Sequence, residues 1–201
     1  MDLLKKHFPD LSQKQLRQFE LMVILYQDWN EKVNVISRKD TEHIIERHIL
    51  HSLALAKFKH FKRDSWTLDL GTGGGFPGLP LAIIFPKANF HLVDSIGKKI
   101  MVVNEIAQAL ELKNVKIEQE RAENLIGSYH YIVSRAVAPT MQLLAWTKHL
   151  ALKGTTEYMF LKGGDLTEEL KPTGFRASVQ NISSYYKTEF FETKKIVHIK
   201  Y

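Results

Sequence analysis

The sequence predicts a doubly wound α/β fold built on a mostly parallel, seven-stranded sheet with an antiparallel C-terminal hairpin, and three observations predict it. From Trp66 onward, short runs rich in β-branched and aromatic residues alternate with segments of helical period, the pattern of strand–helix–strand units. The first of these strands breaks at Asp69-Leu70 into Gly71-Thr72-Gly73-Gly74-Gly75, and a new apolar segment opens almost at once. The last two strand candidates are joined by only residues 188–193, too short for a crossover helix, so one of them must run antiparallel.

The elements follow in order. Ser12 and Gln15 have the spacing of a capping box with Leu11 and Leu16 as its hydrophobic staple. Leu16, Phe19, Val23, Tyr26 and Asn30 then carry one buried helical stripe. A second helix is expected from Asp40 or Thr41 to about Lys57, with Ile45, Ile49, Ser52, Leu53 and Ala56 inward. Strands are expected at 66–70, 89–93, 115–119, 129–134, 156–161, roughly 176–186 and 195–200. Helices are expected at 77–85, 97–111, 139–150 and 164–170. No repeat, low-complexity tract or linker divides the chain, so 1–201 reads as one domain, a helical extension (1–62) packed on an α/β core (63–201).

Composition narrows the partners. The chain has 201 residues, of which 44% are apolar, enough for a real core. It contains no cysteine, which excludes disulfides and zinc–thiolate sites and fits a reducing cytoplasm. No apolar run approaches the ~18 residues needed to span a bilayer, and a soluble, unexported protein is expected. The net charge of +6 favours polyanionic partners, RNA or DNA first, although many small proteins are this basic without such a role.

The chemistry concentrates at the ends of successive strands. Four glycines within five positions suit a backbone that turns tightly against a ligand between a strand and a helix. A dinucleotide fold wants G-x-G-x-x-G, but the third glycine position holds the bulky Phe76. Gly71, Gly73 and Gly75 spell G-x-G-x-G instead, the pattern typical of S-adenosylmethionine-dependent methyltransferases, and no Lys-Ser/Thr pair follows to make a Walker A loop. Asp94 ends the second strand about 20 residues on, where a carboxylate accepts ribose hydroxyls or caps the next helix. Ala122 and Glu123 follow the third strand and suit an adenine, or in Glu123's case a solvated helix start. Arg135 closes the fourth strand inside an apolar run, where an unpaired cation is costly, so it is expected to meet an anion: a methionine carboxylate, a substrate phosphate or a protein carboxylate. Lys162 repeats the theme at the fifth.

These residues resemble a known family. LDLGTGGGFPGLPLAI, VDS-IGKK, RAE, SRAVAP and LKG, with WNEKVNVIS and RHILHSL before them, occur in this order in the bacterial methyltransferases called glucose-inhibited division protein B. The likeness runs from about Tyr26 to Gly163. It implies a class I methyltransferase fold, S-adenosylmethionine as cofactor, and methylation of N7 of one guanine in 16S ribosomal RNA. It further implies cofactor contacts at Gly71, Phe76, Ala122, Glu123 and Arg135, Phe76 now as part of the pocket wall. Two departures stand out: His51 and His130 occupy positions where the family typically has aspartate.

Guanine N7 carries a lone pair and no proton at neutral pH, so its methylation needs alignment rather than a general base, and no catalytic acid–base residue is expected. RNA contacts are expected from Arg47, His48 and His51, from Arg38 and Lys39 before them, and from Lys98, Lys99 and Lys162. His43, Arg47 and His51 recur every four residues on one helical face, which reads as RNA-facing or solvated rather than as a metal site. Three competitors share parts of this pattern: a small-molecule methyltransferase, a nicotinamide-dependent oxidoreductase, and a non-catalytic RNA-binding protein with a degenerate loop.

Overall fold

A computed structural model describes the chain except Asn34, Pro172, Thr173 and Phe175 and the side chains of Arg38 and Lys39, so the expected RNA contacts of those last two lie outside the described residues. A short helix α1 (Asp2–His7) precedes α2 (Gln13–Lys32). The capping box forms as its spacing requires, Gln15 N–H donating to Ser12 Oγ and Ser12 N–H to Gln15 Oε1. The Gln15 amide also donates to the Ile83 carbonyl, so one residue caps α2 and ties it to the core. Asn30 ends the buried stripe, and its Oδ1 accepts from both Val35 and Ile36 N–H, fixing the loop that follows.

The expected helix from 40 to 57 is present but not uniform. Residues Arg38–His43 form a 3₁₀ turn, Ile45–Leu50 a π-helical turn, and only His51–Phe58 (α3) is regular. Spacing by fours assumes a regular α-helix, and the wider π turn slips that register. His43 is therefore exposed while His51 is 7% exposed, and the shared face of His43, Arg47 and His51 does not exist.

The core is a seven-stranded sheet in the order β3-β2-β1-β4-β5-β7-β6. Its strands are β1 (Trp66–Leu70), β2 (Asn89–Asp94), β3 (Val115–Gln119), β4 (Tyr131–Arg135), β5 (Glu157–Gly163), β6 (Ala177–Asn181) and β7 (Lys194–Lys200). β7 alone runs against its neighbours. β6 stops earlier than expected: Ile182–Ser184 and Glu189–Phe191 form 3₁₀ turns that bury Ile182, Tyr186 and Phe191 completely, so this segment plugs the core instead of extending the ladder.

The helices α4 (Gly78–Ile84), α5 (Gly97–Ala109), α6 (Thr140–Thr147) and α7 (Thr167–Leu170) complete the fold. One face of the sheet is covered by α2 to α5 in a cluster that joins Phe19, Met22 and Leu53 to Phe90, Val133 and Met159. The other is covered chiefly by α6 through Leu143 and Leu144. Burial on both faces is the normal condition of a parallel sheet and explains its near-continuous apolar strands.

Close helix–strand packing depends on a glycine outside the G-x-G-x-G run, Gly78. A Cβ on Gly78 would lie 2.6 Å from Leu92 Cγ and 2.7 Å from Asp69 Oδ2. Gly78, two residues beyond Phe76, does what the third glycine of a dinucleotide motif does.

Candidate functional site

The carboxyl ends of β3, β2, β1 and β4 share one edge, and the strand order reverses between β1 and β4, the place where open α/β sheets bind ligands. A cavity of about 410 Å³ opens there. Gly71 and Gly73 line it in left-handed conformations (φ +66° and +59°), and a Cβ on Gly71 would strike Val137, which lines the cavity beside it. Gly74 lines it as well. Gly75, expected on this wall, is not: a Cβ there would meet Leu79 and the Tyr26 hydroxyl, so it lets the loop lie against α4 and α2 from behind. The Tyr26 hydroxyl donates to the Gly74 carbonyl, and its ring packs on Phe76 at 4.8 Å.

The remaining strand ends converge as expected. Phe76, Asp94, Ala122, Glu123 and Arg135 all line the cavity. Asp94 Oδ2 accepts the Gly73 N–H at 2.9 Å while Oδ1 accepts the Ile96 N–H at 2.9 Å. The carboxylate thus holds the glycine loop and turns the chain into α5, and it keeps lone pairs for a further donor. Beneath the loop Asp69 is fully buried, with Oδ2 accepting from Thr72 Oγ1 and Gly78 N–H and Oδ1 without a partner. Burial pushes its pKa up to about 7 against the pull of those bonds and of Arg135.

Arg135 is partly buried at the β4 end. Its Nη2 donates to His48 Nδ1 at 3.0 Å, its Nη1 approaches the Arg47 carbonyl at 3.4 Å, and the guanidinium lies 5.1 Å from the Phe76 ring centre. Among the described residues no carboxylate stands within ion-pair distance of it. Desolvation lowers its pKa to about 10, which leaves it charged at neutral pH.

Three expected RNA contacts, His48, His51 and Lys162, are spent inside the protein, His51 against Phe190 and Phe191. His48 is 8% exposed and faces Arg135 rather than solvent, because the π turn rotates it inward. The Lys162 ammonium pairs with Glu169 at 2.8 Å and donates to the Ala138 carbonyl at 2.5 Å. Glu169 in turn accepts from Thr140 N–H and caps α6, so Lys162 braces the loop after β4. Arg47 pairs with Asp40 at 2.6 Å and keeps a third of its side chain exposed. Lys98 is exposed at the start of α5, and Lys99 lines the cavity. Val35, Val137 and Trp146, whose roles the sequence pattern does not mark, also line the cavity, as does Arg121 in the turn after β3. The described residues contain no cluster of three metal-ligating side chains.

The two histidine departures have local explanations. His130 Nδ1 accepts the Trp66 N–H at 3.1 Å at the opening of β4, the end of the sheet away from the cavity, and an aspartate oxygen there would accept in the same way. His51 packs edge-on against Phe190 and Phe191, where an imidazole fills apolar space that a carboxylate would fill poorly.

A pH dependence follows. Burial, then Arg135, lowers the pKa of His48 to about 3 and that of His51 well below 6.5, so the unfolded chain takes up protons there that the folded one refuses. Stability from both is lost as pH falls below about 6.5. Asp69 opposes them, because its raised pKa stabilises the fold at low pH and that contribution disappears as pH rises through about 7. His7 and His91, also lowered by burial, add to the two histidines against one aspartate, so unfolding takes up protons on balance. Unfolding free energy measured in urea should therefore fall as pH drops from 6 to 4. A flat profile would contradict this set of buried groups.

The chain has known relatives over nearly its whole length. The family model described as rRNA small subunit methyltransferase G matches residues 14–197. The chain is 52% identical over 205 residues to the ribosomal RNA small subunit methyltransferase G of Flavobacterium psychrophilum, covering 99% of this chain and 97% of that protein. It is 47% identical over 204 residues to the protein of that name in Bacteroides fragilis, covering 99% of each. Among solved structures, a S-adenosylmethionine-dependent methyltransferase from Aquifex aeolicus superposes with a TM-score of 0.59 at 17% identity over 82% of this chain and 98% of that one, a likeness of fold.

Proposed function

The chain belongs to the rRNA small subunit methyltransferase G family, and from that premise we propose that it transfers a methyl group from S-adenosylmethionine to N7 of a guanine in small-subunit ribosomal RNA. One observation carries the cofactor half of this reading: four strand ends deliver a glycine backbone, a carboxylate and a guanidinium, without a carboxylate partner among the described residues, to one cavity.

The residues fit the cofactor by their chemistry. Arg135 would take the methionine carboxylate, since it lines the cavity as a cation with no ion pair among the described residues. Asp94 would accept from the ribose, and the Ala122 backbone and Glu123 would face the adenine. α6 packs on the 122–124 turn and brings Trp146 to the same wall. When bound, S-adenosylmethionine supplies an electrophilic methyl group. The protein's part is then to hold donor and acceptor in line and to exclude water, which supplies roughly 7–11 kcal/mol without any proton acceptor.

For the RNA, Lys98, Lys99 and Arg121 stand at the cavity rim and just beyond it. Arg47 and Lys194 both lie over the Phe190 ring, at 5.7 and 4.9 Å. Charge reversal at Lys98 and at Arg121 should each reduce the salt slope of rRNA binding by about one. The protein acts in the cytoplasm, on the small subunit or a precursor of it, and among its described residues no helix is long and apolar enough to cross a membrane. The test is a map of modified nucleosides in small-subunit rRNA from cells lacking the protein and from cells re-expressing it. One 7-methylguanosine should vanish and return; an unchanged map would refute the proposal.

A further inference from the structure

Arg135 is oriented by a neutral acceptor, and this has consequences for the ligand it takes. A guanidinium only donates, so the 3.0 Å contact from Nη2 requires His48 Nδ1 to be unprotonated and the ring's proton to sit on Nε2. That nitrogen is buried, has no hydrogen-bond partner, and faces Asp40 Oδ2 across 4.0 Å. Asp40 is itself held by Arg47 at 2.6 Å. The imidazole also packs near Phe76, its centroid 5.1 Å from that ring's, and the guanidinium lies at 5.1 Å as well. Phe76, His48 and the Arg47 carbonyl together fix the guanidinium, and none of them neutralises it.

From this arrangement we propose that His48 is a positioning residue for the methyl donor: its neutral imidazole holds Arg135 in place and leaves the full positive charge for the carboxylate of the donor's amino-acid arm. The inference rests on the reading of Arg135 given above. A partner carboxylate would orient the guanidinium equally well, but it would also satisfy the charge and compete with the ligand. The π-helical turn Ile45–Leu50 is what presents the Arg47 carbonyl and the His48 ring to the same guanidinium, in keeping with the frequent placement of such turns at functional sites.

The test compares two ligands and two nearly isosteric substitutions in the full-length protein. S-adenosylhomocysteine carries the amino-acid arm; 5′-methylthioadenosine has the same adenosine and thioether without it. His48→Asn keeps a neutral acceptor, whereas His48→Asp supplies a charged one. By calorimetry, His48→Asn should bind S-adenosylhomocysteine within about threefold of the parent, and His48→Asp at least tenfold more weakly. Both should bind 5′-methylthioadenosine within about twofold of the parent. A purely structural role for His48 would weaken the two ligands alike. Arg135→Met serves as the control and should lose S-adenosylhomocysteine selectively. If it does and the Asn and Asp proteins bind alike, or lose both ligands together, the inference about His48 is wrong while the carboxylate assignment stands. If Arg135→Met weakens both ligands equally, the carboxylate assignment fails and takes the inference with it.

Discussion

Arg135→Met should abolish measurable cofactor binding while leaving the protein at least as stable as the parent. Loss of a charge-assisted contact in a desolvated site costs about 2–5 kcal/mol, roughly 30-fold to several-thousand-fold in affinity. Stability should not follow. Removal of the guanidinium gives up the hydrogen bonds to His48 and the Arg47 carbonyl but also relieves a desolvated charge that, among the described residues, no ion pair compensates. A methionine side chain can keep the apolar contact with Phe76 and drops the cation. Calorimetry with S-adenosylhomocysteine and a thermal melt decide the matter together. Affinity lost in step with a fall in melting temperature would show a structural role instead.

The second large effect is expected at Gly78, and it falls on the fold. In Gly78→Val the new Cβ would sit 2.6 Å from Leu92 Cγ and 2.7 Å from Asp69 Oδ2, distances that real Cβ atoms do not tolerate. Leu92 is fully buried in the centre of the sheet, and Asp69 Oδ2 is held by two hydrogen bonds, so neither neighbour can yield freely. α4 must lift from β1 and β2, which breaks the Gly78 N–H bond to Asp69 and leaves a buried carboxylate short of a partner. Overpacking and the lost bond together should cost about 3 kcal/mol or more in urea unfolding. A loss below about 1 kcal/mol would show that the helix is free to shift. Gly73→Ala provides the contrast: only the Gly71 carbonyl, at 4.0 Å, lies near its Cβ, so its cost comes from the left-handed backbone alone.

What could be read before the structure depended on how local the causes were. The glycine loop, Asp94, Ala122-Glu123 and Arg135 were legible because each follows a strand of ordinary period, and a parallel sheet must bring those ends to one edge. The antiparallel hairpin was legible from the shortness of its connection. His48, expected at the RNA, turns inward because its partner Arg135 lies 87 residues away and only the fold brings the two together, while Lys162 is drawn in by Glu169 and the Ala138 carbonyl. Arg47 illustrates the same limit, since only the fold brings it over Phe190. Periodicity assumes one helix type, so it could not foresee a 3₁₀ turn running into a π turn between Arg38 and Leu50. Gly78 lies two residues beyond the position a dinucleotide motif fixes, so the motif does not single it out, although close packing of α4 depends on it. Trp146 had no signal at all, because an aromatic at helical spacing reads first as core.

The central claim is that this cavity presents a methyl donor to a guanine N7 without a protein base. Purified protein, S-adenosylmethionine labelled in its methyl group, and small ribosomal subunits from cells lacking the protein test it directly. Nucleosides from the digested rRNA would be separated and identified by mass, with single-turnover rates taken across pH 6 to 9. The account predicts label in 7-methylguanosine alone, at one position, with a rate that does not rise with the deprotonation of any single group. Label in another nucleoside, or a rate that depends steeply on one deprotonated side chain and loses that dependence on its mutation, would contradict it.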